Sequence, residues 1–249
     1  MLRKLAKITC FLFLIFFLVG TLAFTSFEKK EVKCTGIEVS FKDSDPIHIS
    51  KNEVLRLVTA ADNKIIKKRL NQINSEYIEQ SVEKNQAIKE AQVYKIIKND
   101  SGTYNGVLVV KVFHRIPVLR VITDSGSFYL DKDGNRIPVS SNYTTHVLVA
   151  TGVITEKFAR EKILPFVLFV EKDDFWQAQI EQINVESDKN VQLVPLIGNH
   201  IIEMGSLDDF QGKLQRVKAF YEQVMTKNNW DKYKEISVKF DNQVIAKRN

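Results

Sequence analysis

From Ile8 to Phe27 the chain reads ITCFLFLIFFLVGTLAFTSF, an unbroken run without a single charge. A helix over this run, rising 1.5 Å per residue, is about 30 Å long, the thickness of a bilayer's hydrocarbon core. Arg3, Lys4 and Lys7 precede it, and the positive-inside bias then keeps the N-terminus cytoplasmic and sends the rest of the chain across. A cleaved signal peptide shares the basic start, but its apolar region is usually about 7–15 residues and ends at a small-x-small site. Leu22-Ala23-Phe24-Thr25 is a poor cleavage site. A buried core helix is not apolar on every face behind a basic leader. The expectation is a cytoplasmic tail over 1–7 and an uncleaved single-pass anchor over 8–27.

Beyond the anchor the chain has the composition of a folded protein. With 44% hydrophobic and 27% charged residues, a wholly disordered chain is excluded. Two Cys exclude a disulfide scaffold and any Cys-rich metal centre, and the four His, at 48, 114, 146 and 200, are too dispersed for a paired ligand motif. Three of the 36 Lys and Arg stand before the apolar run, leaving 33 against 30 Asp and Glu. A nucleic-acid binder gathers its excess into a basic face, and none is visible. Cys10 falls inside the apolar run and Cys34 beyond it, so the two are poor partners, and Cys34 is expected as a single thiol in a small apolar niche.

Residues 28–33 read as a charged connector, followed by two expected domains over 34–116 and 117–249. Gly36 to Phe41 alternates apolar and polar, the period of a half-buried strand. Ser50 with Glu53 three residues on is a capping box for a short helix. A second helix is expected from about Lys64 to Asn85, on the stripe Ile66, Leu70, Ile73, Tyr77, Ile78 and Val82. Ile88–Ile97 and Val107–Phe113 read as strands joined by turn residues at Asn99–Gly102, which makes a hairpin. Two helices on one face of a three-stranded sheet form a small β-α-α-β-β domain of the α+β class. Pro117 marks its end, with Arg115 and Arg120 expected on the exposed side of the junction.

Strand signals dominate the second domain, at 118–123, 127–130, 145–150, 179–185, 191–196 and 200–204. Helices are expected over Glu156–Asp173, kinked or split at Pro165, and over Leu207–Lys227, capped by Ser206 with Asp209 three residues on. The chain closes with Glu235–Val238 and Asn242–Lys247, a strand pair or one long bent strand.

The motifs that carry chemistry are missing their partners. Ser81-Val-Glu-Lys84 fits the S-x-x-K of penicillin-interacting acyltransferases, yet neither K-T-G nor S-D-N accompanies it, and Ser81 lies in an amphipathic stretch. Asp131-Lys-Asp-Gly134 hints at a calcium loop, but the glycine falls at position four instead of six and position twelve is Asn142, so it reads as a turn. Nucleophile elbows and phosphate-cradling glycine loops do not occur. Trp176 and Trp230 read as core-closing residues. No catalytic residue, cofactor or metal is expected.

The layout resembles the FtsQ/DivIB bacterial cell-division family in its Bacteroidota form, with the small domain similar to the polypeptide-transport-associated (POTRA) module. The resemblance is carried by His114-Arg-Ile-Pro-Val-Leu-Arg-Val121 and Phe128-Tyr-Leu-Asp-Lys-Asp-Gly134. It is carried as well by Leu193-Val-Pro-Leu-Ile-Gly198 and the closing run from Tyr233 to Arg248. It implies a non-enzymatic single-pass protein of the inner membrane, periplasmic in bulk, at the division septum. It implies FtsB- and FtsL-type partners and a link from early division components to septal peptidoglycan synthesis. Two other readings stay open: an exported POTRA-containing assembly or chaperone factor, and a membrane-anchored acyltransferase or hydrolase of the envelope.

The resemblance also directs attention to the end of the chain, where the family receives FtsB. Glu235–Lys247 is expected as an uncovered edge strand able to accept another strand. Ile236, Val238, Lys239, Phe240, Gln243, Val244 and Ala246 are the candidate partner-binding residues, with Ile236, Val238 and Phe240 on one face and Ser237, Lys239 and Asp241 on the other. The plainer reading is that this is the last strand of the core sheet, protected by its Lys and Arg residues.

Overall fold

The structure, a computed structural model, describes residues 9–22, 32–42, 49–100, 103–140, 144–225 and 230–249. Residues 9–22 are helical (α1) and leave Phe11, Phe13, Phe16 and Phe17 exposed. The expected anchor over 8–27 runs beyond both ends of α1, outside the described residues. At 1.5 Å per residue α1 is about 21 Å long, and among the described residues no helix is long and apolar enough to cross a membrane. The chain divides into two compact units, Met1–His114 and Arg115–Asn249.

In the first unit the elements are β1 (Cys34–Phe41), α2 (Lys51–Ala61), α3 (Ser75–Glu83), β2 (Ile88–Asp100) and β3 (Thr103–His114). They form one three-stranded sheet, in the order β1-β3-β2, with β1 parallel and β2 antiparallel to β3. The Ser50 hydroxyl accepts the Glu53 N–H at 3.2 Å and starts α2. Val54 and Val58 of α2 and Ile78 and Val82 of α3 pack with Leu108, Val110 and Val112, and the Cys34 thiol is buried among them. Each such side chain contributes about 1.5–3 kcal/mol on burial.

The single helix expected over Lys64–Asn85 does not form. Lys67 is left-handed (φ +73°), a 3₁₀ turn covers Leu70–Gln72, and α3 begins only after Asn74, whose Oδ1 accepts the Tyr77 N–H at 3.0 Å. The cause is competition for backbone groups. Lys67 N–H donates to Cys34 O at 2.7 Å, Cys34 N–H to Lys68 O at 2.8 Å and Leu70 N–H to Val32 O at 3.0 Å, so this stretch bonds to β1 and its lead-in, not to itself. Leu70, Ile73, Ile78 and Val82 are still buried, but Ile66 and Tyr77 of the expected stripe are exposed.

The second unit is a nine-stranded sheet with helices. Its strands are β4 (Pro117–Thr123), β5 (Gly126–Asp131), β6 (Arg136–Pro138), β7 (Leu148–Gly152), β8 (Ile180–Val185), β9 (Val191–Pro195), β10 (Ile201–Gly205), β11 (Tyr233–Ser237) and β12 (Ile245–Arg248). The order is β12-β11-β10-β9-β8-β7-β4-β5-β6. Phe128, Val121, Ala150, Ile183, Leu193, Ile202, Ile236 and Ala246 stand in register across eight of these strands, on the face that builds the core. One residue along, Thr151, Asn184, Gln192 and Glu203 form a polar row on the other face. Period-two alternation places the two rows on opposite faces. With a small three-stranded unit carrying two helices and this larger strand-rich one, the fold is mixed α+β as expected.

The helices are α4 (Glu156–Phe158), a π turn (Ala159–Ile163), α5 (Leu164–Val170), α6 (Asp174–Gln179) and α7 (Phe210–Gln223). At Pro165 the expected break is absorbed by the π turn: the Leu164 N–H reaches back to Ala159 O, widening the helix where the proline ring would meet the preceding turn. Ser206 does not cap α7. Asp209 is the N-cap, left-handed (φ +49°) and without a side-chain cap bond, while the buried Lys213 ammonium donates to Met204 O at 3.0 Å and Ser206 O at 2.8 Å. Nor does Arg115 lie on an exposed side: its guanidinium donates to the Asp131 carboxylate at 2.8 Å, and Arg120 is half-buried over the Tyr129 ring. Trp176 is buried and Trp230 packs against the core.

Candidate docking edge

The large sheet ends in β6 on one side and β12 on the other. β6 is three residues long and finishes at Pro138, which has no N–H to offer. At the other end the chain forms a hairpin, with β11 lying between β10 and β12. The strands are joined through Val238–Val244, where Asn242 takes the left-handed conformation (φ +56°) that Asn tolerates in turns.

Two hydrogen bonds fix which backbone groups face outward. Val238 N–H donates to Glu203 O at 2.9 Å, toward β10, so by alternation Ile236 faces β10 while Glu235 and Ser237 face β12. Their register partners Lys247 and Ile245 therefore face β11. Asn249 agrees, its N–H donating to Lys232 O at 3.2 Å. Ala246 and Arg248 turn their N–H and C=O groups to the open side of the sheet.

The expected site residues separate accordingly. Ile236 and Val238 are fully buried core residues of the inner strand and the turn after it, not of the edge. Phe240 does not share their face: the strand ends at Ser237, and Phe240 is half exposed beneath the Lys239 ammonium, 5.3 Å from its ring centre. Lys239 is drawn away by Glu203, with Nζ 3.0 Å from Oε1. Burial alone would raise the Glu203 carboxyl, but its donors, the Lys239 ammonium among them, hold it below the ordinary value; the same hydrogen bond raises Lys239. Gln243 is exposed in the turn, and Val244 and Ala246 lean on the core from its rim. Ile245, half exposed on the opposite face, and Arg248 belong to the edge and were not among the expected residues. The signal that finds them is Phe240-Asp-Asn-Gln243, turn residues that split the closing run into two strands.

Ser81 bonds within its own helix, its hydroxyl donating to Tyr77 O at 2.7 Å. Among the described residues no group of three His, Cys, Asp or Glu side chains could hold a metal ion. What β12 offers is backbone: the outward N–H and C=O groups of Ala246 and Arg248.

The chain thus joins a small three-stranded α+β unit to a larger strand-rich unit whose sheet runs from β6 to β12. Residues 32–100 match the family model of a POTRA-like domain, and residues 116–247, more than half of the chain, match that described as FtsQ/DivIB, C-terminal related. The chain belongs to the FtsQ/DivIB family and is by that membership a cell-division protein. Both are families of non-enzymatic scaffolds, and the FtsQ/DivIB match implies protein–protein interactions within the division machinery. No curated protein matches the chain.

Proposed function

We propose that the chain is a single-pass scaffold of the inner membrane, non-enzymatic, working at the division septum with its bulk in the periplasm. Residues 8–27 are its anchor, and FtsB- and FtsL-type proteins are its partners, linking early division components to septal peptidoglycan synthesis. The uncharged run and its basic leader support the anchor, as do the phenylalanines that α1 exposes. The partner docks by adding a strand to β12. The observation that carries this reading is the outward direction of the Ala246 and Arg248 backbone groups on the last strand of the sheet.

Proline separates docking from folding. Pro at Ala246 removes an outward N–H, which an edge strand tolerates, whereas Pro at Val238 removes the 2.9 Å bond to Glu203 inside the fold. A246P is expected to keep a near-wild-type melting temperature and lose capture of the FtsB-type partner at least tenfold. V238P is expected to lose both. A folded A246P that captures the partner at wild-type level rules out pairing at β12.

A further inference from the structure

The POTRA-like unit has a longer edge than β12, and it is already occupied. β2 runs thirteen residues along the outside of its sheet. The Val93 N–H donates to the Glu79 carboxylate at 2.6 Å and the Ala91 N–H to the Glu83 carboxylate at 2.9 Å. Both carboxylates project from α3, four residues apart, which is one helical turn or about 6 Å. Outward N–H groups two residues apart on a strand are spaced about 6.6 Å, so the helix face matches the strand edge. These are charge-assisted bonds, roughly twice as strong as neutral ones.

We propose that Glu79 and Glu83 act as a side-chain strand, an autoinhibitory cap that keeps β2 from accepting a strand of another chain. The occupant they exclude is the β2 of a second copy. Identical thirteen-residue edges can pair antiparallel about a two-fold axis, residue i meeting residue j of the other copy and j meeting i. By alternation from Ala91 and Val93, Lys95 and Ile97 also face outward, beyond the reach of the two carboxylates, and Tyr94 and Ile97 are exposed beside them. An open edge of this kind is a template for pairing with another chain.

The test uses the full chain with Glu79 and Glu83 both changed to Ala. At a concentration where it is monomeric, amide exchange at Ala91 and Val93 is expected to quicken at least tenfold, with Gln92 and Tyr94, which face β3, unchanged as reporters of the fold. At higher concentration, sedimentation velocity is expected to show at least three times the dimer fraction of the wild type. Adding Ile97→Pro is expected to return it to the wild-type fraction. E79Q/E83Q, which keeps a neutral acceptor oxygen at each position, is expected to exchange at rates between those of the wild type and the double Ala variant and to sediment as the wild type. Unchanged exchange at Ala91 and Val93, a variant that stays monomeric with those amides freed, or a dimer that survives Ile97→Pro overturns the proposal.

Discussion

Asp131 is 3% exposed although its sequence neighbours are those of a surface turn. Its carboxylate accepts the N–H groups of Asp133 and Asn135, the Asn135 side-chain amide and the Arg115 guanidinium. Burial pushes the carboxyl up, but these donors outweigh it and hold it below the ordinary carboxylate value. The stability it contributes is therefore complete above the unfolded value of about 3.9 and is lost as pH falls through the lower folded value. Asp131→Ala is expected to cost about 3 kcal/mol in urea unfolding at pH 7, because it leaves Arg115 half-buried without its partner. The variant should lose less than the wild type on further acidification. His200 has the opposite temper. It is 1% exposed, Nε2 lies 2.7 Å from the Tyr221 hydroxyl, and the ring stacks on Trp230. Burial pushes its pKa down, so the stability tied to its neutral form is present above the unfolded value of about 6.5 and is lost as pH falls through the depressed one. The melting temperature is expected to drop between pH 7.5 and 5.5, and His200→Phe to flatten that drop. The residues of the Asp131 turn are legible as turn residues. That Arg115 folds back onto them is not, because an Arg two positions before a proline says nothing of a carboxylate sixteen positions on.

Local pattern served best where an element answers to its own residues. The Ser50–Glu53 start of α2, the alternation of β1 and the β2–β3 hairpin were all legible, since cap and period are written within a few positions. Elements that answer to distant backbone were not. The stripe over Lys64–Asn85 has helical spacing, yet bonds from Lys67 and Leu70 to Cys34 and Val32 override it. The closing run alternates cleanly, yet a turn divides it, so a face assigned through Phe240 was displaced. Gly152 shows how tightly β7 is held to its neighbour. It takes φ +107°, and a Cβ there would lie 2.1 Å from Val185 O, a backbone atom of the paired strand β8. Gly152→Ala is expected to destabilise the protein by on the order of 2 kcal/mol or more, read as a shift in urea midpoint without a change in slope.

At the scale of the whole chain, the order of apolar run, small α+β unit and strand-rich unit was legible, and with it the family, because these depend on the sequence of elements and not on any one boundary. The closing strand pair was legible as a region but not residue by residue. Which of its residues face outward depends on the register of β11 with β10 and β12, a non-local property that alternation alone assigns ambiguously. The two units then differ in how they treat an edge: one closes β2 with carboxylates, the other leaves β12 as the last strand of its sheet. The central claim is that a partner strand pairs with β12, and amide hydrogen exchange of the full chain with and without the FtsB-type partner tests it directly. Binding is expected to slow exchange at Ala246 and Arg248 at least a hundredfold, while Ile245 and Lys247, already bonded to β11, change little. Unaltered exchange at Ala246 and Arg248 in a saturated complex contradicts it.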